Sequence, residues 1–332
     1  MRCGWADNIL VVETDGYTRP CCAEPGPSAR IAPITDGIKS AWQSPVLKNL
    51  RLNLEKGYSD KTDPWCKRCR LLEDVNEPSL RKKPLDTAGH LKGIQFKLSN
   101  ICQLACAHCH WTLSSQHHKY EFGGNGIIRA IDNIEIIIKD LKDLLPQLEF
   151  IKFTGGEPWH DKQHWQILEG LKDCNRSNCR LEYITNGLSK PKEHLWEGWK
   201  DVKITISVDG VEETYEWFRQ NAKWSKFLKA FNYYENNYNV VANYSITPLT
   251  IEDWEDAELL FQNINANPVI FPDHASVKSL PKNLLALPFN TPFLNLLNGD
   301  DNSLRMLRDW AINWDTRWSN EGKSKELFPW LY

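Results

Sequence analysis

The 332-residue sequence has no excess of charge of either sign: 40 lysines and arginines stand against 43 aspartates and glutamates, a formal net charge of -3. A chain so balanced carries no global positive field to recruit nucleic acid or an anionic membrane surface, and neither is expected as a partner. No apolar run approaches the roughly 18 residues of a membrane span, and Met1-Arg2-Cys3-Gly4-Trp5 lacks the basic start and long apolar stretch of a secretory signal. A soluble cytoplasmic protein is expected. No internal repeat or low-complexity tract is evident, which excludes a repeat array.

Cysteine, by contrast, is plentiful, with ten residues. The cytosol keeps thiols reduced, so structural disulfides are disfavoured and metal ligation or catalysis is favoured. The cysteines fall into three groups: Cys3, Cys21, Cys22, Cys66 and Cys69; then Cys102, Cys106 and Cys109; then Cys174 and Cys179. A proline-bounded basic stretch, Pro78-Ser-Leu-Arg-Lys-Lys-Pro84, separates the first two groups and marks a boundary near residues 76–92.

From residue 93 onward, short runs rich in β-branched and aromatic residues alternate with helical patterns. Strands are expected at Gly93–Leu98, Leu148–Phe153, Arg180–Thr185, Val202–Val208, Val240–Ile246 and Pro268–Phe271. Ile127, Ile131, Ile134, Ile138, Leu141 and Leu145 recur at three- and four-residue steps, so an amphipathic helix is expected between the first two strands. Such alternation argues for parallel βαβ units, either an open sheet or a partly closed barrel, with ligands at the carboxyl ends of the strands. Ser303–Trp314 reads as a helix near the end of the chain.

The chemistry lies at those strand ends. Cys102-Gln-Leu-Ala-Cys106-Ala-His-Cys109 offers three thiolates in a C-x3-C-x2-C run, and three ligands on a four-iron cluster leave one iron open to an exogenous group. Phe153-Thr-Gly-Gly-Glu-Pro158 follows the second strand. Its adjacent glycines let backbone approach a ligand closely, and Glu157 is placed to receive a ligand ammonium. Ile184-Thr-Asn-Gly187 and Ile206-Ser-Val-Asp-Gly210 end the next two strands with small hydrogen-bonding groups.

Together these motifs resemble the radical S-adenosylmethionine (SAM) superfamily, over roughly residues 93–250. The resemblance implies an α/β fold, a partial (βα)6 TIM-like barrel, in which Cys102, Cys106 and Cys109 hold a [4Fe–4S] cluster whose open iron chelates SAM. Reductive cleavage of SAM would then give a 5′-deoxyadenosyl radical that abstracts hydrogen from a substrate. By the same resemblance Gly155, Gly156 and Glu157 meet the methionyl amino group, and Thr185, Asn186 and Ser207 line the ribose and carboxylate side. The resemblance also implies Thr154 and Asp209, at the same strand ends, as cofactor-binding residues, and makes Arg219 a candidate for the SAM carboxylate. One departure is His108, which stands where the family usually places a large aromatic beside the adenine; imidazole is planar and can substitute.

In the N-terminal group, Cys3, Gly16-Tyr-Thr-Arg-Pro-Cys21 and Pro64-Trp-Cys-Lys-Arg-Cys69 resemble the SPASM and twitch auxiliary-cluster domains of that superfamily. The resemblance implies a second [4Fe–4S] cluster on Cys3, Cys21, Cys66 and Cys69, although such domains more often follow the barrel; structural zinc is the alternative for the same paired thiolates. Cys22 can replace Cys21 or donate hydrogen to a substrate radical, though an ordinary thiol is the simpler reading. Cys174 and Cys179 read as unremarkable thiols, and His110, His117, His118 and His160 as polar loop residues.

The expected organisation is an auxiliary-cluster domain at 1–80, a linker at 81–92, a radical SAM core at 93–271 and a helical extension at 272–332. Modification of a ribosomally made peptide is the expected activity, by crosslinking, thioether formation, epimerisation or splicease-type backbone excision. A peptide-recognition partner protein and an electron donor such as flavodoxin or ferredoxin would accompany it. A small metabolite, such as a sugar or nucleoside, is the alternative substrate. A non-catalytic iron–sulfur or zinc-binding module is the alternative of another class.

Overall fold

The computed structural model describes residues 2–23, 26–59, 61–74, 79–82, 89–268 and 299–332. Its strands are β1 (Ile9–Val12), β2 (Thr18–Arg19), β3 (Gly93–Lys97), β4 (Ala105–Cys106), β5 (Phe150–Thr154), β6 (Arg180–Thr185), β7 (Val202–Val208), β8 (Arg219–Gln220), β9 (Asn239–Ile246) and β10 (Ile264–Pro268). The helices are α1 (Gly4–Asn8), α2 (Ile38–Trp42), α3 (Pro45–Lys56), α4 (Asp63–Asp74), α5 (Ser115–Phe122), α6 (Ile134–Leu144), α7 (Lys162–Gly170), α8 (Glu212–Phe218), α9 (Trp224–Asn237), α10 (Trp254–Leu260), α11 (Asp301–Arg317) and α12 (Lys323–Leu327).

The chain divides into two compact units. The first comprises residues 1–102, 110–185 and 189–203, and the second comprises 103–109, 186–188 and 204–332. In the first, β1, β3, β5 and β6 pair side by side in parallel, with β2 antiparallel on β1. Parallel strands buried on both faces favour continuous apolar sequence. Ile9-Leu10-Val11-Val12 is such a run, and the cysteine-rich N-terminal segment therefore contributes a strand to this sheet. Phe96, Phe153 and Tyr183 stack in succession across it, at 5.5 and 6.0 Å between ring centroids, and all three are buried. Each such ring contributes on the order of 2–3 kcal/mol through burial alone. In the second unit β9 pairs with β10 in parallel, and β4 with β8 in a short antiparallel ribbon.

The α/β class with a mainly parallel sheet is thus the one expected, and five of the six expected strands fall within two residues of the observed bounds. The first of them ends at Lys97. The sixth lies earlier, at Ile264–Pro268; Val269–Phe271 fall outside the described residues. The amphipathic helix begins at Ile134, capped by Asn133, whose side chain accepts from the Glu135 N–H at 3.2 Å. Ile127 and Ile131 precede it because the Asn100 side chain binds the Ile128 N–H at 2.8 Å and the Leu98 carbonyl accepts from Ala130 at 2.8 Å, which holds that stretch outside the helix.

At the end of the chain α11 runs Asp301–Arg317, longer than expected at both ends. Leu307, Ala311 and Trp314 pack with Trp217, Phe218 and Phe328 in the core of the second unit. Trp217 Nε1 donates to Asp315 Oδ1 at 2.7 Å, and Trp314 Nε1 to the Trp217 carbonyl at 3.1 Å, so the buried indoles are satisfied as they must be. Among the described residues no helix is long and apolar enough to cross a membrane.

Candidate functional site

The C-x3-C-x2-C run crosses from one unit to the other, with Cys102 in the first and Cys106 and Cys109 in the second. In the first unit β3 leads into Leu98-Ser-Asn-Ile-Cys102, held by a hub that the sequence reading missed. Asn100 is fully buried and donates to the carbonyls of Trp111 (3.0 Å) and Gly126 (2.9 Å) while accepting from Ile128. Ser115 Oγ accepts from the Cys102 N–H at 3.3 Å and donates to the Cys102 carbonyl at 3.1 Å. A polar side chain directly after a strand was the available signal, but its targets lie up to 28 residues away.

The Gly-Gly-Glu turn closes on that same loop. Gly155 has φ of +109°, a region costly for other residues. A Cβ on Gly156 would stand 2.3 Å from the Ile101 carbonyl oxygen, so any side chain there would displace the cysteine loop. The Gly156 and Glu157 N–H groups donate to the Ser99 and Ile101 carbonyls at 3.1 and 2.6 Å. Glu157 is 1% exposed, and its Oε1 accepts from Thr185 Oγ1 at 2.7 Å and from the Trp159 N–H at 3.2 Å. The turn, Thr185 and the approach to Cys102 are therefore one hydrogen-bonded assembly. Thr154 is half-buried at the end of β5. Beneath the turn His164 Nε2 meets Tyr183 Oη at 2.9 Å; burial pushes the imidazole down to about 3, so His164 is neutral.

In the second unit Cys106 lies directly opposite Arg219 in the β4–β8 ribbon. The Ala107 N–H donates to the Phe218 carbonyl at 2.7 Å and the Cys109 N–H to the Cys106 carbonyl at 2.9 Å, which makes a tight turn of Cys106–Cys109. Arg219 Nη2 stands 2.7 Å from Asp209 Oδ2, and both side chains are buried. Burial alone would raise the Asp209 carboxyl, but the Arg219 charge, with a smaller contribution from His108, holds it below the ordinary range. His108 Nε2 is 3.8 Å from Asp209 Oδ1, and its ring lies 6.4 Å from Phe218. Burial pushes the Cys106 thiol up to about 11, with Arg219 opposing. Asn186 and Gln103 exchange two amide hydrogen bonds of 3.2 Å, a pairing not anticipated, while Ser207 is half-buried on β7.

The N-terminal thiols form a second set, within the first unit. Cys66 and Cys69 share the buried face of α4, one turn apart, as i, i+3 spacing dictates. Cys3 precedes α1 and Cys21 follows β2. Burial, reinforced by Cys3 and Cys69, pushes Cys66 up to about 12. Burial raises Cys21 well above its ordinary value, with Cys22, Cys3 and Cys69 adding to it, and it raises Cys3, with Cys69 adding. These effects place the four sulfurs in one electrostatic neighbourhood.

Among the described residues no group of three or more His, Cys, Asp or Glu side chains converges in the manner of a single bound metal ion. A four-iron cluster carries each thiolate on a separate iron, so its sulfurs need not converge on a point. In the residues that flank these cysteines in sequence, Trp5 Nε1 and Trp65 Nε1 are buried with no hydrogen-bond partner among the described residues. Buried donors of this kind are normally satisfied, and cluster sulfurs are suitable acceptors. The donor set therefore fits an iron–sulfur cluster. Cys22 is half-buried, and Cys174 and Cys179 are free, Cys179 pushed up to about 12 by burial.

The sequence profile described as the radical SAM superfamily matches residues 96–261, and one described as an iron–sulfur cluster-binding domain, SPASM, matches residues 3–70. The chain is 23% identical over 214 residues to the radical SAM cyclopropyl synthase TigE of Paramaledivibacter caminithermalis, covering 60% of this chain and 45% of that protein. It is 29% identical over 128 residues to an uncharacterized protein of Methanocaldococcus jannaschii, covering 37% and 40%. Streptococcus suis SuiB bound to S-adenosylmethionine matches in structure at 15% identity and a TM-score of 0.41, covering 85% of this chain and 60% of that one. The match thus spans less than half the length of these curated relatives.

Proposed function

Because the chain belongs to the radical SAM superfamily and its cofactors are SAM and iron–sulfur clusters, we propose that it abstracts hydrogen from a ribosomally made peptide and so modifies it. The observation that carries the peptide reading is the second set of thiols, Cys3, Cys21, Cys66 and Cys69, gathered in one neighbourhood beneath a SPASM match. Auxiliary-cluster enzymes of the type it resembles often act on such peptides.

In this reading Cys102, Cys106 and Cys109 hold the cluster that meets SAM, and Cys3, Cys21, Cys66 and Cys69 hold the auxiliary one. When bound, the reduced cluster and SAM supply one electron and a primary carbon radical able to take hydrogen from an unactivated C–H bond. The chain's own residues bind and orient. Glu157, fixed through Oε1 by Thr185 and Trp159, receives the SAM ammonium. Thr154, Gly155 and Gly156 present backbone to the methionyl moiety, Asn186, Ser207 and Asp209 line the ribose and carboxylate side together with Arg219, and His108 flanks the adenine. The thiols at about 11 and 12 are protonated near neutral pH, so ligation releases their protons.

The domain organisation we assign is an auxiliary-cluster domain at 1–80, a linker at 81–92, a radical SAM core at 93–271 and a helical extension at 272–332. We place the protein in the cytoplasm, supplied with electrons by a flavodoxin or ferredoxin. Mass spectrometry of a candidate peptide co-expressed with the enzyme tests the reading: a SAM-dependent mass change is expected. An unmodified peptide, alongside turnover of a sugar or nucleoside, would refute it.

A further inference from the structure

We propose that the buried Asp209–Arg219 pair is a charge balance set against Cys106, and that it fixes the reduction potential of the cluster Cys106 ligates. This rests on reading Cys102, Cys106 and Cys109 as cluster ligands. The β4–β8 ribbon seats Arg219 directly opposite Cys106, so backbone pairing, rather than a flexible side chain alone, fixes where the guanidinium starts. Asp209 reaches it from the end of β7 at 2.7 Å. The residues are 3% and 0% exposed, in surroundings where charges act strongly and salt screens them little.

A buried ion pair is a poor source of stability, because desolvating two charges offsets most of their attraction. Its position opposite Cys106 gives it a different use, through the field it creates. The potential of an iron–sulfur cluster follows its surrounding charge and hydrogen bonds. Around the pair, Arg219 Nε, Tyr215 Oη and His108 Nδ1 are buried with no hydrogen-bond partner among the described residues, and the Ser245 side chain assists Asp209. The groups that face the guanidinium are Asp209, Cys106 and the Tyr215 ring, 5.7 Å away, and His108 approaches Asp209 from its other oxygen. Arg219 favours the extra electron of the reduced cluster, and Asp209 opposes it.

The two charges therefore push the potential in opposite directions, which a purely structural role would not do. Redox titrations of the full chain, reconstituted anaerobically and followed by electron paramagnetic resonance, test this, with the cluster identified by the signal that changes on adding SAM. Arg219→Gln should lower the midpoint and Asp209→Asn should raise it, while the double variant lies between them. Arg219→Lys, which keeps the charge, should stay closer to wild type than Arg219→Gln. Shifts of the same sign in both single variants, or none in variants with wild-type iron content, overturn the proposal. If Asp209→Asn does not accumulate folded, the comparison of Arg219→Gln with Arg219→Lys decides, and equal displacement in both overturns it. A wild-type protein with no SAM-responsive signal refutes the ligand assignment itself, which separates that failure from this one.

Discussion

The two sets of thiols are built in opposite ways. Three of the four N-terminal sulfurs are buried, two of them one turn apart on a helix; burial raises Cys3 and Cys66, and neighbouring thiols add to it. Cys102, Cys106 and Cys109 all keep some exposure; Cys102 and Cys109 sit on irregular backbone and Cys106 ends the short strand β4. Their surroundings do the positioning: neutral hydrogen bonds from Asn100 and Ser115 at one end, a buried charge pair at the other. The proposed roles call for such a difference: four protein ligands on an auxiliary cluster against three that leave one iron for SAM.

The largest expected effect tests that division. Cys102→Ala should abolish 5′-deoxyadenosine formation with dithionite and SAM, whereas Cys66→Ala should retain some SAM cleavage and lose the substrate-derived product. Chromatography of both products checks this, and equal loss of 5′-deoxyadenosine in the two variants would erase the contrast.

The open site should also depend on its neutral scaffold. Thr185→Val removes the 2.7 Å donor to Glu157, and a hydrogen bond to a charged group contributes about 1.5–3 kcal/mol. SAM affinity of the reconstituted protein, measured by equilibrium dialysis, should fall roughly 10- to 100-fold. Gly156→Ala should lower the melting temperature, because its Cβ would meet the Ile101 carbonyl at 2.3 Å and such overpacking costs about 1–3 kcal/mol.

The smallest effect is on pH dependence and sharpens the comparison from the buried side. Folding raises the thiol pKa of Cys66 from 9.0 to about 12. Its contribution to the stability of metal-free protein is fully present below pH 9.0 and is lost as pH rises towards 12. The melting temperature of metal-free protein should therefore fall over that interval, and less steeply in Cys66→Ser. An equal slope in the variant would show that other groups dominate.

The motifs of this chain were legible because their chemistry is local. C-x3-C-x2-C, Gly-Gly-Glu and each strand can be read within a dozen residues, and the strands at Arg180–Thr185 and Val202–Val208 match residue for residue. What escaped depends on distance along the chain. Asn100 acts on Gly126 and Ile128, and Asp209 meets Arg219 only after α8 has turned the backbone round. β1 escaped for a different reason: four apolar residues between cysteines are too short to distinguish strand from helix, and only pairing with β3 makes them a strand. The site residues themselves were proposed from order and spacing, while the bonds that hold them required coordinates.

The tryptophan-rich tail carries a consequence for handling the protein. Asp315 accepts from Trp217 through one oxygen and from the Ser324 N–H through the other, at 2.7 and 2.8 Å, so α11 grips α8 directly upstream of Arg219. Clipping the polypeptide at Asp300 would strip cover from Trp217 and Phe218 and loosen the strand that faces Cys106. Residues 301–332 are thus part of the foundation of Cys106, far earlier in the chain, and a fusion partner is better attached by a long spacer than grafted onto that helix.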